Sequence, residues 1–395
     1  TEWQDYKFNV PLLGITFRFY LENGLQVGDT LDIANISVKE YLGQEVVPDS
    51  GCGSWLLEPQ STNLITYSED FSQSVWNKGG VNISSIGISP SGSISTLLTE
   101  DTSNGEHRIY HNNISVSIGV VYTDSFYIKS NGRSKIRLSY TGFNNYEPKF
   151  DFVNNNLISS TGGTTANIKS VSFGNGWYKV SVTDTATLTG LRGVISLMKD
   201  DLSFQYVGDG TSGVYIWGAM LEQQSYSTSY IPTNGAASTR LQDIANNSGN
   251  ATLINSTEGV LYAEIAALAD DGTYRIFSLN DGTRNERVYI QYKPASNEIS
   301  GVVKNGNNTQ ANINYFLSDE TQYAKIAFKW KENDFAFWVN GVERGTDTSG
   351  SVPVGLSKLS FDQSNDSNYF YGKTKALVVY KEALTDEQLT CLTTI

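Results

Sequence analysis

The sequence predicts an all-β chain of tandem antiparallel β-sandwiches with one short helix at the C-terminal end. Three observations carry this. Tyr, Thr, Val and Ile alternate with Asn, Ser and Gly clusters, the vocabulary of strands joined by tight turns. Runs of about six residues place apolar side chains on every second position, as at Ile136, Leu138 and Tyr140 against Lys135, Arg137 and Ser139. A helix-start signature occurs at Thr385 and Gln388, where each side chain can bond the other residue's amide, with Leu384 and Leu389 positioned to staple the turn.

Taken in order, residues 1–47 hold strand-like runs at 7–10, 14–21 and 30–41, too few to close a core, and read as a partial β module or N-terminal strands. Residues 48–54 are a turn-rich linker. A middle sandwich is expected over 48–235, with strands at 124–129, 135–140, 149–153, 177–183, 193–199 and 213–222. The 29–40 and 212–222 segments share a pattern, a strand with a polar exit, and suggest repeated modules. After a polar connector, a second sandwich is expected over 251–395. Its strands fall at 259–268, 275–279, 287–293, 323–330, 335–339 and 371–380, and Asn340-Gly341 supplies a two-residue hairpin turn.

Composition narrows the function. The 395 residues carry 28 basic and 41 acidic side chains, a net charge of −13, which disfavours nucleic acid and anionic membrane as partners. No apolar run reaches the roughly 20 residues that a spanning helix needs, so membrane insertion is not expected. Cys52 and Cys391 are too few for a disulfide framework, and their pairing is left open. A chain beginning at Thr1 reads as a processed product or a fragment of a longer protein.

Two segments carry a family resemblance. Leu57-Glu-Pro-Gln-Ser-Thr-Asn-Leu-Ile65, Tyr67-Ser-Glu-Asp-Phe71, Trp76, Trp177-Tyr-Lys-Val-Ser-Val182, Tyr215-Ile-Trp-Gly-Ala-Met-Leu-Glu222 and Tyr230-Ile-Pro-Thr233 resemble the carbohydrate-binding-module-like sandwiches of bacteriophage tail and fibre proteins. Ala327-Phe-Lys-Trp330, Phe335-Ala-Phe-Trp-Val-Asn-Gly-Val342 and the closing stretch at 371–389 resemble a concanavalin-like, laminin-G-type lectin domain. The resemblance implies jelly-roll or concanavalin-like sandwiches in a non-catalytic virion fibre or tail protein. Such a protein attaches to host cell-surface polysaccharide as a homotrimer beside other virion proteins. The alternatives are a purely structural head fibre or decoration protein, and a secreted bacterial adhesin or binding module of a polysaccharide-degrading enzyme.

Catalytic patterns are sparse. Glu332-Asn-Asp334 matches part of the E-x-D-x-x-E strand of sandwich glycosidases, but Phe337 stands where the next carboxylate belongs. His107 and His111 are the only histidines, and a strand between them would not hold a metal at that spacing. The chain is therefore read as no enzyme. Sugar recognition needs flat aromatic faces and amide partners. The candidates are Tyr369 and Tyr371 with Asn365 and Asn368 on the loop 364–371, then Tyr274 and Tyr289, with Tyr146 in the middle segment. No cofactor is required. Calcium is the one cation considered, at Asp270 and Asp271 and at Asp362 and Asp366, residues that are equally ordinary turn formers.

Overall fold

Alternation in the sequence becomes four principal antiparallel sheets, stacked in two pairs. The structure is a computed structural model; it describes residues 53–162 and 167–395, and the backbone of 43–47. The expected strands at 7–10, 14–21 and 30–41, and the first copy of the repeat, lie outside the described residues.

The middle sandwich faces a six-stranded sheet against a seven-stranded one. The first runs Asn167–Gly174, Trp177–Thr185, Val121–Asn131, Gly213–Glu222, Ile94–Glu100, Val81–Ile88. The second runs Asn156–Thr161, Glu147–Asp151, Lys135–Thr141, Gly190–Met198, Arg108–His111, Trp76–Gly79, with Ile114–Ser115 paired beside Gly190–Met198. Phe126, Ile128, Val180, Val182 and Ile216 from one face meet Ile136, Leu138, Phe150, Ile195 and Leu197 from the other. Tyr127, Trp177 and Trp217 lie on the opposite side of the first sheet and are buried there against Tyr215 and Tyr230. Both indoles are satisfied, Trp177 by Ile88 O at 3.1 Å and Trp217 by Ser93 Oγ at 3.0 Å.

The C-terminal sandwich pairs a seven-stranded sheet with a five-stranded one. The larger sheet runs Gly43–Val47, Gly372–Tyr380, Glu258–Ala267, Ala324–Lys331, Phe335–Val339, Val342–Asp347, and Trp55–Leu57 also pairs with Gly372–Tyr380. The smaller sheet runs Asn308–Phe316, Glu298–Asn305, Arg287–Tyr292, Arg275–Asn280, Lys358–Ser360. Leu261, Ile265, Phe328 and Trp330 pack against Phe277, Leu279, Ile290 and Val303. The sheets approach closely at Gly301, where a Cβ would lie 2.6 Å from the Phe328 ring.

The larger sheet thus takes strands from both sides of the middle sandwich. Its neighbouring strands Gly43–Val47 and Trp55–Leu57 precede that sandwich in the chain, and the rest follow it. Where the chain passes out and back, Ser61–Asn63 pairs antiparallel with Ser238–Arg240. Below that ribbon, Glu58 N donates to Asp243 Oδ2 at 2.9 Å and Asp243 N to Glu58 O at 2.9 Å. The buried Glu58 carboxylate also holds Arg240 at 3.1 Å and the Ser229 amide at 2.8 Å.

The helix Asp386–Thr393 closes the chain. Its capping box forms as the sequence predicts, with Gln388 N donating to Thr385 Oγ1 at 3.3 Å and Thr385 N to Gln388 Oε1 at 2.9 Å. Leu389 is buried on a small core of Val260, Tyr262, Ala327, Ala336 and Trp338, with Leu384 packed alongside.

Candidate functional site

The loop from Phe361 to Tyr371 joins Lys358–Ser360 of the smaller sheet to Gly372–Tyr380 of the larger. Its shape follows from one carboxylate. Asp362 is buried, and its Oδ1 accepts from Ser364 N at 2.7 Å while Oδ2 accepts from Asp366 N at 2.8 Å and Asn246 Nδ2 at 3.3 Å. The backbone turns through left-handed conformations at Ser364, Asp366 and Asn368, two of them residue types that tolerate positive φ. Gln363 N donates to Ser367 O at 2.9 Å and Phe370 N to Phe361 O at 2.9 Å, closing the loop on itself.

Phe370 anchors the loop in the core, edge-on to Phe277 at 5.4 Å. Tyr369 and Tyr371 flank it in sequence, and both remain partly exposed. Their rings lie 5.6 Å apart at 24°. Tyr371 Oη donates to Gln242 Oε1 at 2.9 Å, and burial pushes its hydroxyl up to about 12. Tyr369 Oη reaches Asp366 Oδ1 at 3.4 Å.

Tyr369 is joined to the smaller sheet. It forms a parallel bridge with Ile276, whose amide donates to Asn368 O at 3.0 Å. Ile276 in turn clusters with Tyr289 and Val302 on the outer face of that sheet. Tyr274, just ahead of the strand, is 40% exposed. The aromatic candidates of the C-terminal sandwich therefore border one surface, with Tyr369 between the sheet face and Tyr371.

Individual side chains differ from the sequence expectation. Tyr289 is only 6% exposed, since the Arg287 guanidinium lies 4.7 Å over its ring, and it offers little surface to a ligand. Tyr146 is a core residue at 2% exposure, because the Phe143–Tyr146 turn folds it back into the middle sandwich. Asn365 and Asn368 are both exposed, Asn365 Oδ1 accepting from Ser367 Oγ at 2.6 Å and Asn368 Nδ2 donating to Gln363 Oε1 at 2.7 Å.

The four aspartates considered for calcium are engaged elsewhere. Asp270 accepts from Ser296 Oγ. Asp271 pairs with Arg275 at 2.8 Å and accepts from Ser225 Oγ at 2.6 Å, which keeps its carboxyl below the usual range. Asp362 is occupied by amides, and Asp366 meets the Tyr369 hydroxyl. Among the described residues, no three His, Cys, Asp or Glu side chains converge as a metal-binding group.

The other motifs of interest fall into structural roles. Asp334 pairs with Lys329 at 2.7 Å in a hairpin turn whose Asn333 has positive φ. His107 places Nδ1 at 2.5 Å from Gly80 O and Nε2 at 3.1 Å from Tyr206 O. His111 bonds Asn112 O at 2.7 Å through Nδ1, and Gly193 N donates to its Nε2 at 3.3 Å. Cys391 is exposed and unpaired, and Cys52 lies outside the described residues. Among the described residues, no helix is long and apolar enough to cross a membrane.

No protein-family model matches the chain, and no curated protein matches it. Similar solved structures include a heptameric SAP-like pentraxin from Limulus polyphemus, at 14% identity over 37% of this chain and 72% of that one, TM-score 0.29. Domains LG4-5 of the mouse laminin α1 chain match at 9% identity over 89% of this chain and 96% of theirs, TM-score 0.25. A Bacteroides ovatus protein provisionally assigned to carbohydrate binding matches at 11% identity over 75% and 82% of the two chains, TM-score 0.29.

Proposed function

We propose that this protein binds glycans through the loop 361–371 and the exposed rim of the five-stranded sheet beside it, where Tyr274 stands. The observation that carries the reading is the Tyr369–Tyr371 pair, two partly exposed aromatic rings fixed near-parallel by a loop that a single buried aspartate organises. Rings held this way meet the apolar face of a pyranose without first losing rotamer freedom, and Asn365 supplies an exposed amide beside them. No reaction is assigned to the site.

The finer reading follows from the resemblance to phage tail and fibre proteins. In it the chain belongs to a virion, attaches to host-surface polysaccharide, and assembles as a homotrimer so that several weak sites act together. This reading does not require calcium: Asp362 and Asp271 already accept from amide, hydroxyl and guanidinium donors.

The test is binding to an immobilised glycan panel. The wild type is expected to bind, Tyr369→Ala with Tyr371→Ala to lose roughly tenfold or more in affinity, and EDTA to leave binding unchanged. Failure of the wild type to bind any glycan would overturn the reading, and release of oligosaccharide products would overturn the absence of catalysis. Sedimentation of the intact protein checks the trimer.

A further inference from the structure

One end of the outer face of the five-stranded sheet carries a row of positive charge on a chain whose net charge is −13. Strand register builds it. Lys358 is paired with Asn280, Asn280 with Arg287, and Arg287 with Lys304. The adjacent residues Leu359, Leu279, Val288 and Val303 all point into the core, so this row lies on the outer face. Arg284 stands in the hairpin between two of these strands, and Lys358 Nζ folds against that hairpin, 3.0 Å from where a Gly282 Cβ would sit.

None of the four cations has a carboxylate partner among the described residues. The ion pairs of this sandwich use Arg275, Lys293, Lys329, Lys331 and Lys375. Nearby acids are committed elsewhere: Asp281 to Thr283, Glu286 to the amides of Gly306 and Val354, and Asp362 to those of Ser364 and Asp366. Arg287 is 1% exposed; its Nη1 donates to Gln363 O at 3.1 Å, and its Nε has no partner. Like charges directly opposite across a ladder are destabilising, as Arg287 and Lys304 are here. Burial, with Arg287 and Arg284 nearby, lowers the Lys304 ammonium; burial and Arg284 lower Arg287 against the opposing pull of Tyr289 and the Asp362 carboxylate. The row also touches the aromatic loop, through Arg287 on Gln363 and through Ser364 Oγ on Thr283 O at 2.7 Å.

We infer that the ligand is an acidic glycan, whose carboxylate or sulfate groups lie over Arg284, Lys304 and Lys358 while its rings reach toward Tyr369. Arg287 supports the anion from beneath through its field. The inference rests on the glycan-binding reading and narrows it to a chemical class. A nucleic acid is disfavoured, since four cations on an otherwise acidic surface do not track a phosphate backbone.

The experiment measures affinity for hyaluronan and polygalacturonate, which carry carboxylate only, for dextran sulfate, for neutral dextran and mannan, and for a single-stranded oligonucleotide. The wild type is expected to prefer one acidic class, which identifies the anion, and to lose affinity as NaCl rises from roughly 0.05 to 0.5 M. Arg284→Gln with Lys304→Gln, both outside the core, is expected to lose about tenfold on the acidic glycan with a melting temperature no lower than that of the wild type. Arg284→Gln alone, and the salt dependence of the wild type, read the same property should the double variant fold poorly. Neutral glycans bound as tightly as acidic ones, with no effect of either charge variant, would sink the inference and leave glycan binding intact. An oligonucleotide bound as tightly as the polysaccharides would sink it as well. No glycan bound at all would overturn both readings.

Discussion

Asp124 shows what a single side chain does in this core. It is buried between the sheets of the middle sandwich and accepts from the Tyr140 hydroxyl at 2.8 Å, and burial pushes its carboxyl up to about 7. A carboxyl raised in the folded state favours the protein while it is protonated, and that advantage fades as pH rises from about 4 to 7. Asp124→Asn keeps an acceptor for Tyr140 and removes the charge. It should match wild type near pH 4 and exceed it by roughly 1–4 kcal/mol at pH 8, read by urea denaturation at both pH values; a difference independent of pH would refute this. His111, in the same sandwich, slopes the other way. Burial lowers it to about 4, so its contribution is complete above pH 6.5 and lost as pH falls toward 4. At Gly301 the constraint is steric. Gly301→Ala drives a methyl into Phe328 and should cost about 1–3 kcal/mol, measured as a lower urea midpoint at constant slope.

Elements differ in how plainly the sequence announces them. Lys135–Thr141 is evident because one face must be buried and the alternation says which, and Gly213–Glu222 because it is buried on both faces and reads as a nearly continuous apolar run. Val81–Ile88, Asn156–Thr161 and Asn167–Gly174 escape notice because they are edge strands, largely exposed on both faces, where Ser and Asn serve as well as apolar residues. The C-terminal helix is legible for the opposite reason, since a capping box is a local contact between residues three apart. Thr385→Ala should therefore cost about 1 kcal/mol, with faster amide exchange confined to the helix. The site divides along the same line. The loop 364–371 can be read as a polar aromatic rim because its residues are consecutive, whereas the row Lys358, Asn280, Arg287, Lys304 exists only once strand register is set.

At the scale of the whole molecule, no local pattern says that Gly43–Val47 and Trp55–Leu57 find their partner in Gly372–Tyr380. Periodicity marks a strand and is silent about its neighbour. The outbound and returning segments meet at the Glu58–Asp243 amide pair, so residues 59–239 occupy the position of an insertion. Ends this close can be rejoined. A chain in which Glu58 is linked to Arg240 through a short Gly-Ser turn should melt in one cooperative transition and keep the glycan affinity of the parent, measured by calorimetry and on the same panel. Loss of the transition would mean that the two sandwiches fold only together.

That pairing also sets a clock. Trp55–Leu57 leaves the ribosome well over 300 residues ahead of Gly372–Tyr380, a wait on the order of 15–60 s at ordinary elongation rates. Through that interval an unpaired strand is exposed, the middle sandwich can finish folding, and the larger sheet of the C-terminal sandwich cannot close. The protein should therefore acquire its proposed ligand surface only after Gly372–Tyr380 has emerged, and a nascent chain truncated before residue 372 should remain open to capture by any factor that binds free strand edges.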